Sequence, residues 1–161
     1  MAADAQTIEG RAALRQALIA AVQASPLRRV DLLSYALEPA LYGDPDFVGA
    51  LQRGLLASPQ AQFRLLLNQP QLAAQQAPLL RELCRRLPSR VWCRALDQAD
   101  RGVLLEQLLL SPATQIERSS PDASYARVWH DDAARMQRQQ QDFDALWNRA
   151  SIANDWRILD L

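Results

Sequence analysis

The chain has 161 residues, 49% hydrophobic and 22% charged, which fits one domain able to bury roughly two thirds of its unfolded surface. Its 18 basic and 18 acidic residues cancel, so no net field draws it toward nucleic acid or an anionic membrane. Every basic residue is arginine, and the lack of lysine excludes a Schiff base, a phosphate-loop lysine and a lysine general base.

Residues 1–6 read as a flexible start, and residues 7–161 as a single domain. Thr7 is a candidate N-cap for a first helix whose stripe is Leu14, Ala17, Leu18, Ala21 and Val22. Ser25-Pro26 ends it, because the residue before proline is pushed out of the α region. Arg28 to Leu37 reads as a strand, with Pro39 and Gly43 in the loop beyond. Asp44-Pro45 supplies a cap and a first-turn proline for a helix buried through Phe47, Val48, Leu51 and Leu55. Gln62 to Asn68 is a compact apolar strand of the kind buried on both faces of a parallel sheet. Pro78 opens a third helix, Pro88-Ser89 stops it, and Arg90 to Leu96 is the next strand.

Residues 7–96 therefore read α-β-α-β-α-β, which predicts a mostly parallel central sheet flanked by helices. Gly102 to Ser111 reads as a strand or strand pair between Gly102 and Pro112, though its Leu, Glu and Gln also suit a helix. Residues 113–129 look irregular, with room for a short strand near Ile116. Asp131 or Asp132 caps a long final helix that packs through Met136, Gln140, Phe143, Trp147 and Ala150. The tail from Trp156 to Leu161 alternates apolar and polar residues, as an edge strand would.

Three segments resemble one half of the phospholipase D superfamily, and a bacterial family of unknown function related to it. They are RRVDLLSYALEPALYGDPDF (28–47), QFRLLLNQP (62–70) with LRELCRRLPSRVWCRAL (80–96), and HDDAARMQRQQQDFDALWNRA (130–150) with its F-x-x-x-W helix. The resemblance implies an α/β half domain and pairing of two copies as a homodimer. Active members use an H-x-K-x4-D motif after the third strand, in which the histidine attacks phosphorus and the lysine steadies phosphoryl charge. Here that place holds DRGVLLEQLLLSP (100–112), without histidine or lysine, and the sole histidine is His130. The resemblance thus implies the fold without the phosphodiesterase, and no cofactor.

Other chemistries find few residues. Cys84 and Cys93 fall on different elements and read as buried structural thiols, and with His130 they make too small a set for a zinc site. His130 beside Trp129, followed by Asp131-Asp132, suits a helix start better than a metal or a general base. The glycines at 10, 43, 49, 54 and 102 form no phosphate loop. No secretory signal or apolar run of membrane-spanning length occurs, which predicts a cytoplasmic protein.

In parallel α/β sheets ligands sit beyond the carboxyl ends of the strands. Ser34, Tyr35 and Asn68 punctuate two such ends, and Glu106, Arg118 and His130 complete a candidate polar pocket. The expected function is binding or assembly without catalysis, as a homodimer or with a protein partner, through apolar surface around Trp92, Trp129 or Trp156. Two alternatives stand beside it: phosphate or nucleic-acid binding if Arg28-Arg29, Arg85-Arg86, Arg90 and Arg118 converge, and an enzyme built around His130. Nucleic acid is the less expected partner, given the neutral charge.

Overall fold

The computed structural model describes residues 4–24, 26–112 and 114–156. In chain order they form β1 (Gln6–Glu9), α1 (Arg11–Gln23), β2 (Arg29–Ser34), α2 (Pro45–Ala57), β3 (Gln62–Leu67), α3 (Pro70–Gln76) and α4 (Pro78–Arg86). There follow β4 (Val91–Ala95), β5 (Glu106–Leu110), β6 (Thr114–Arg118), β7 (Tyr125–His130), α5 (Ala133–Arg149) and β8 (Ser151–Ile152). All the strands join one sheet in the order β1-β7-β6-β5-β2-β3-β4-β8.

The two helical crossovers read from the sequence do give parallel pairs, β2 with β3 and β3 with β4. Every other neighbouring pair is antiparallel, so the expectation of a mostly parallel sheet is corrected to a mixed one. The physical reason is connection length. β5, β6 and β7 follow one another through short loops with no helix between them, and such loops reverse the chain.

Strand alternation builds two layers. Val30, Leu32, Phe63, Leu65, Leu108 and Ile116 face α1–α4 and form the larger core. Leu33, Leu66 and Leu109 face the other way, against Phe143 and Trp147 of α5. The second face also holds charge. Asp31, wholly buried, accepts Arg29 Nε at 2.6 Å and Arg64 Nε at 2.9 Å. Asp144 of α5 takes the other end of each guanidinium at 2.6 Å. Arg64 lies over the Phe143 and Trp147 rings, and Arg94 also lies over Trp147.

Several local readings change. The segment from Gln6 to Glu9, expected as a flexible end and a helix cap, is an edge strand paired with β7. Gly10, at φ 85, makes the left-handed turn from it into α1, a conformation that favours glycine. Residues 125–129, within the stretch read as irregular, form β7 together with His130. α3 was not read at all, since its only buried residue is Ala73. Trp156 ends a short 3-10 turn, and the rest of the expected final edge strand, 157–161, lies outside the described residues. Among the described residues no helix is long and apolar enough to cross a membrane.

Candidate functional site

The strand register explains why distant residues meet. Leu32 pairs with Leu108, and Glu106 pairs with Arg118. Continuing the ladder by one pair places Ser34 beside Glu106. Residues two apart share a face, so Ser34, Glu106 and Arg118 form a row across β2, β5 and β6, on the α1 side of the sheet. All three are at most 3% exposed.

Within the row the carboxylate is fully engaged, and only Arg118 Nε has no acceptor among the described residues. Glu106 Oε2 accepts the Ser34 hydroxyl at 2.7 Å and the Tyr35 main-chain N–H at 3.0 Å, and Oε1 accepts Arg118 Nη2. Ser34 Oγ accepts the Leu37 N–H at 3.0 Å, which holds Leu37 in the left-handed region at φ 57. That conformation costs a non-glycine residue about 1 kcal/mol, so this hydrogen bond and the burial of Leu37 must offset it. Outside the row, Glu38 lies 3.8 Å from Arg118 Nη1 and takes a two-pronged contact from Arg11, at 2.8 and 3.0 Å. Tyr42 is buried nearby, and burial, reinforced by the Glu106 charge, pushes its phenol well above the ordinary range. An open cavity of about 230 Å³ borders the row, lined by Tyr35, Glu38, Glu106, Arg118 and Asp122 among others.

Of the six residues expected in a strand-end pocket, Ser34, Tyr35, Glu106 and Arg118 come together. Asn68 adjoins them only through its backbone, whose N–H donates to Ser34 O at 3.1 Å. Its side-chain amide instead ties down the loop after β4, donating to Arg101 O and Val103 O at 3.0 Å each. His130 is at the opposite end of the sheet, paired with Thr114, the residue that opens β6, and 3.3 Å from its hydroxyl. The length of β6, about 13 Å at the usual rise per residue, separates it from Arg118. Its placement in the pocket is corrected: β7 runs antiparallel to β6, so its last residue points away from the Arg118 end. Arg11 and Glu38 were missed because α1 meets the loop after β2 only in three dimensions.

The remaining arginines do not converge. Arg29 is held by Asp31 and Asp144, Arg90 reaches the carbonyls of Leu55, Ser58 and Ala61, and Arg118 is at the far end of the sheet. Arg85 and Arg86 are exposed beside Glu82. The tryptophan surface shrinks as well. Trp129 lies under the Arg135 guanidinium, 3.5 Å from its centroid, Trp156 donates to Pro70 O, and Trp92 stays 37% exposed. Cys84 and Cys93 are free thiols, and burial pushes Cys84 up to about 12 and Cys93 well above its usual value. No cluster of three metal-ligating side chains occurs among the described residues.

Among solved structures, Nuc, a phospholipase D family member from Salmonella typhimurium, matches with a TM-score of 0.66 and 10% identity, over 92% of this chain and 98% of its own. NucT from Helicobacter pylori matches with 0.65 and 9%, over the same two shares. TrmBL2, an archaeal chromatin protein with a novel mode of DNA binding, matches with 0.62 and 16%, over 92% of this chain but 53% of its own. Identities this low speak for the fold alone. No curated protein matches the sequence. Residues 10–159 do match a described family, and the chain belongs to it: DUF7931, a domain of unknown function, here with a phospholipase-D-like fold.

Proposed function

We propose that this domain works by binding or assembly and performs no phosphodiester chemistry. One observation carries the reading. At the strand ends, where an α/β sheet presents its ligand site, the Ser34–Glu106–Arg118 row is closed on itself, with only the buried Arg118 Nε left without an acceptor among the described residues. A carboxylate occupies the position between hydroxyl, N–H and guanidinium. No imidazole or thiol reaches it, since His130 is at the other end of the sheet and both cysteines are on α4 and β4. The one hydroxyl paired with a carboxylate there, Ser34 with Glu106, is 1% exposed and its oxygen is taken up by the Leu37 N–H, while Arg118 neutralises the carboxylate, which argues against its use as a nucleophile.

The test is hydrolysis of bis(p-nitrophenyl) phosphate and of plasmid DNA by purified protein, with and without divalent cations. The expected result is release no faster than buffer. Turnover that co-elutes with the chain and vanishes in His130→Ala would refute the reading. Assembly as a homodimer is the form of binding that the family resemblance favours, and light scattering across a concentration series decides it.

Nucleic-acid binding is a second reading, supported by the likeness to the chromatin protein TrmBL2. The committed arginines weigh against it, as does the zero net charge. Gel retardation at rising salt decides, because phosphate contacts give an affinity that falls steeply with salt.

A further inference from the structure

The far edge of the sheet is only half covered. β8 pairs with Arg94 and Ala95 of β4 alone, so Val91, Trp92 and Cys93 have no strand outside them among the described residues. An open cavity of about 600 Å³ borders this edge, with Cys84 and Arg85 of α4, Trp92 of β4 and Trp156 in its wall. Trp92 and Ile152, both lining it, stand 37% and 54% exposed. A bare strand edge beside large exposed apolar side chains is a template for another extended segment, and folded proteins cover such edges.

Charge narrows what fits. Arg85 and Arg94 line the cavity, and no acidic residue does among the described residues. Arg85, with a side chain 61% exposed, shares the single carboxylate of Glu82 with Arg86, at 3.8 and 3.5 Å. Arg94 is held by Trp147 O and by the Trp147 ring, and has no carboxylate partner among the described residues. The edge therefore suits an extended segment that combines apolar residues with an acid.

Such a segment is tethered to the cavity wall. Residues 157–161, outside the described residues, read Arg-Ile-Leu-Asp-Leu. They follow directly on Trp156, which lines the cavity and whose indole N–H donates to Pro70 O at 2.9 Å. Five extended residues reach up to about 17 Å, which matches the length of β4, itself five residues. A short tether also supplies an effective concentration in the millimolar range, which a second copy or a free partner at micromolar concentration does not match.

We propose that residues 157–161 lie extended in this cavity along the outer edge of β4. Alternation then turns Leu159 and Leu161 toward Trp92, and Ile158 and Asp160 toward α4, with Asp160 against Arg85. The segment closes the sheet edge, and any partner strand has to displace it.

Amide hydrogen exchange of the full chain, read residue by residue by NMR and compared with the free pentapeptide, tests this. The amides of 158–161 that face β4 should exchange at least about tenfold more slowly than in the peptide, at a rate independent of protein concentration. Asp160→Arg and Arg85→Glu should each reduce that slowing several-fold, and the two together should restore it. Misfolding cannot imitate such a rescue, and slow exchange in β2 and β3 confirms the fold of each variant. Peptide-like rates in the unaltered chain, or a slowing that ignores the charge swap, overturns the docking. A slowing that grows with protein concentration identifies a second copy on the edge and overturns it as well. Each of these results leaves the non-catalytic reading standing, and that reading falls only on hydrolysis.

Discussion

Asp31→Asn is the sharpest test of what holds α5 on the sheet. Asp31 is wholly buried and is gripped by Arg29 and Arg64, which also share Asp144. The near-isosteric amide keeps the shape and removes the charge, leaving two guanidiniums with one half-exposed carboxylate. Breaking a buried ion pair from one side typically costs 3–5 kcal/mol. Arg29 and Arg64 are 33% and 18% exposed and regain some hydration, so we expect about 2–4 kcal/mol here. Asp144→Asn, at a side chain 41% exposed, should cost about 1 kcal/mol or less. Urea unfolding followed by tryptophan fluorescence reads both, since Trp147 stands 5.3 Å from the Arg64 guanidinium. A double-mutant cycle with Arg64→Gln should return a coupling of about 1–3 kcal/mol. An Asp31→Asn cost below about 1 kcal/mol would mean that the network only decorates the interface, and that Leu33, Leu66 and Phe143 do the holding.

Two further outcomes follow from local chemistry. Asp44 caps α2 through the N–H groups of Asp46 and Phe47, and its contact with Arg15 holds its carboxyl below the ordinary value of 3.8. A carboxyl with a depressed folded pKa contributes stability fully above its unfolded pKa and loses it as pH falls through the folded one. Asp44→Ala should therefore cost about 1 kcal/mol at neutral pH, and the gap to wild type should close below about pH 4, in chemical melts at stepped pH. Cys84, pushed up to about 12 by burial, stays protonated at pH 8. A chromogenic disulfide reagent should modify neither cysteine until the protein is unfolded, and fast labelling of the native chain would contradict the packing.

The sequence is most readable where one element satisfies itself. α2 shows its cap, its first-turn proline and its buried stripe within a dozen residues, and β3 shows a run of leucines that belongs only in a two-sided core. Edge elements hide. β1 has four residues, three of them polar and none fully buried, so neither periodicity nor burial marks it, and only pairing with β7 makes it a strand. Sheet direction was misjudged for a related reason: the two crossovers before residue 96 are visible, but the hairpins after it lack the helices that would announce a change. The polar row was half legible. Ser34 and Tyr35 end an apolar run, whereas the partnership of Glu106 and Arg118 depends on the register of β5 with β6, which no local pattern encodes.

The all-arginine composition looks at first like a polyanion signature, but the structure uses the guanidinium mainly as an internal fastener. Arg90 gathers three carbonyls, Leu55 in the last turn of α2 and Ser58 and Ala61 beyond it, Arg101 joins Leu96 O to Asn68 O, and Arg94 binds Trp147 O while stacking on its ring. Arg90 and Arg101 use the fork, and Arg94 uses the flat face as well, neither of which a lysine ammonium has. Arginine count therefore says little about surface potential here. A salt-steep affinity for DNA would have to arise from exposed residues such as Arg81, Arg85 and Arg86 on α4. Charge reversal on α4 would then abolish retardation. Most guanidinium donors inside the fold already have their acceptors, which leaves the exposed arginines to meet a polyanion.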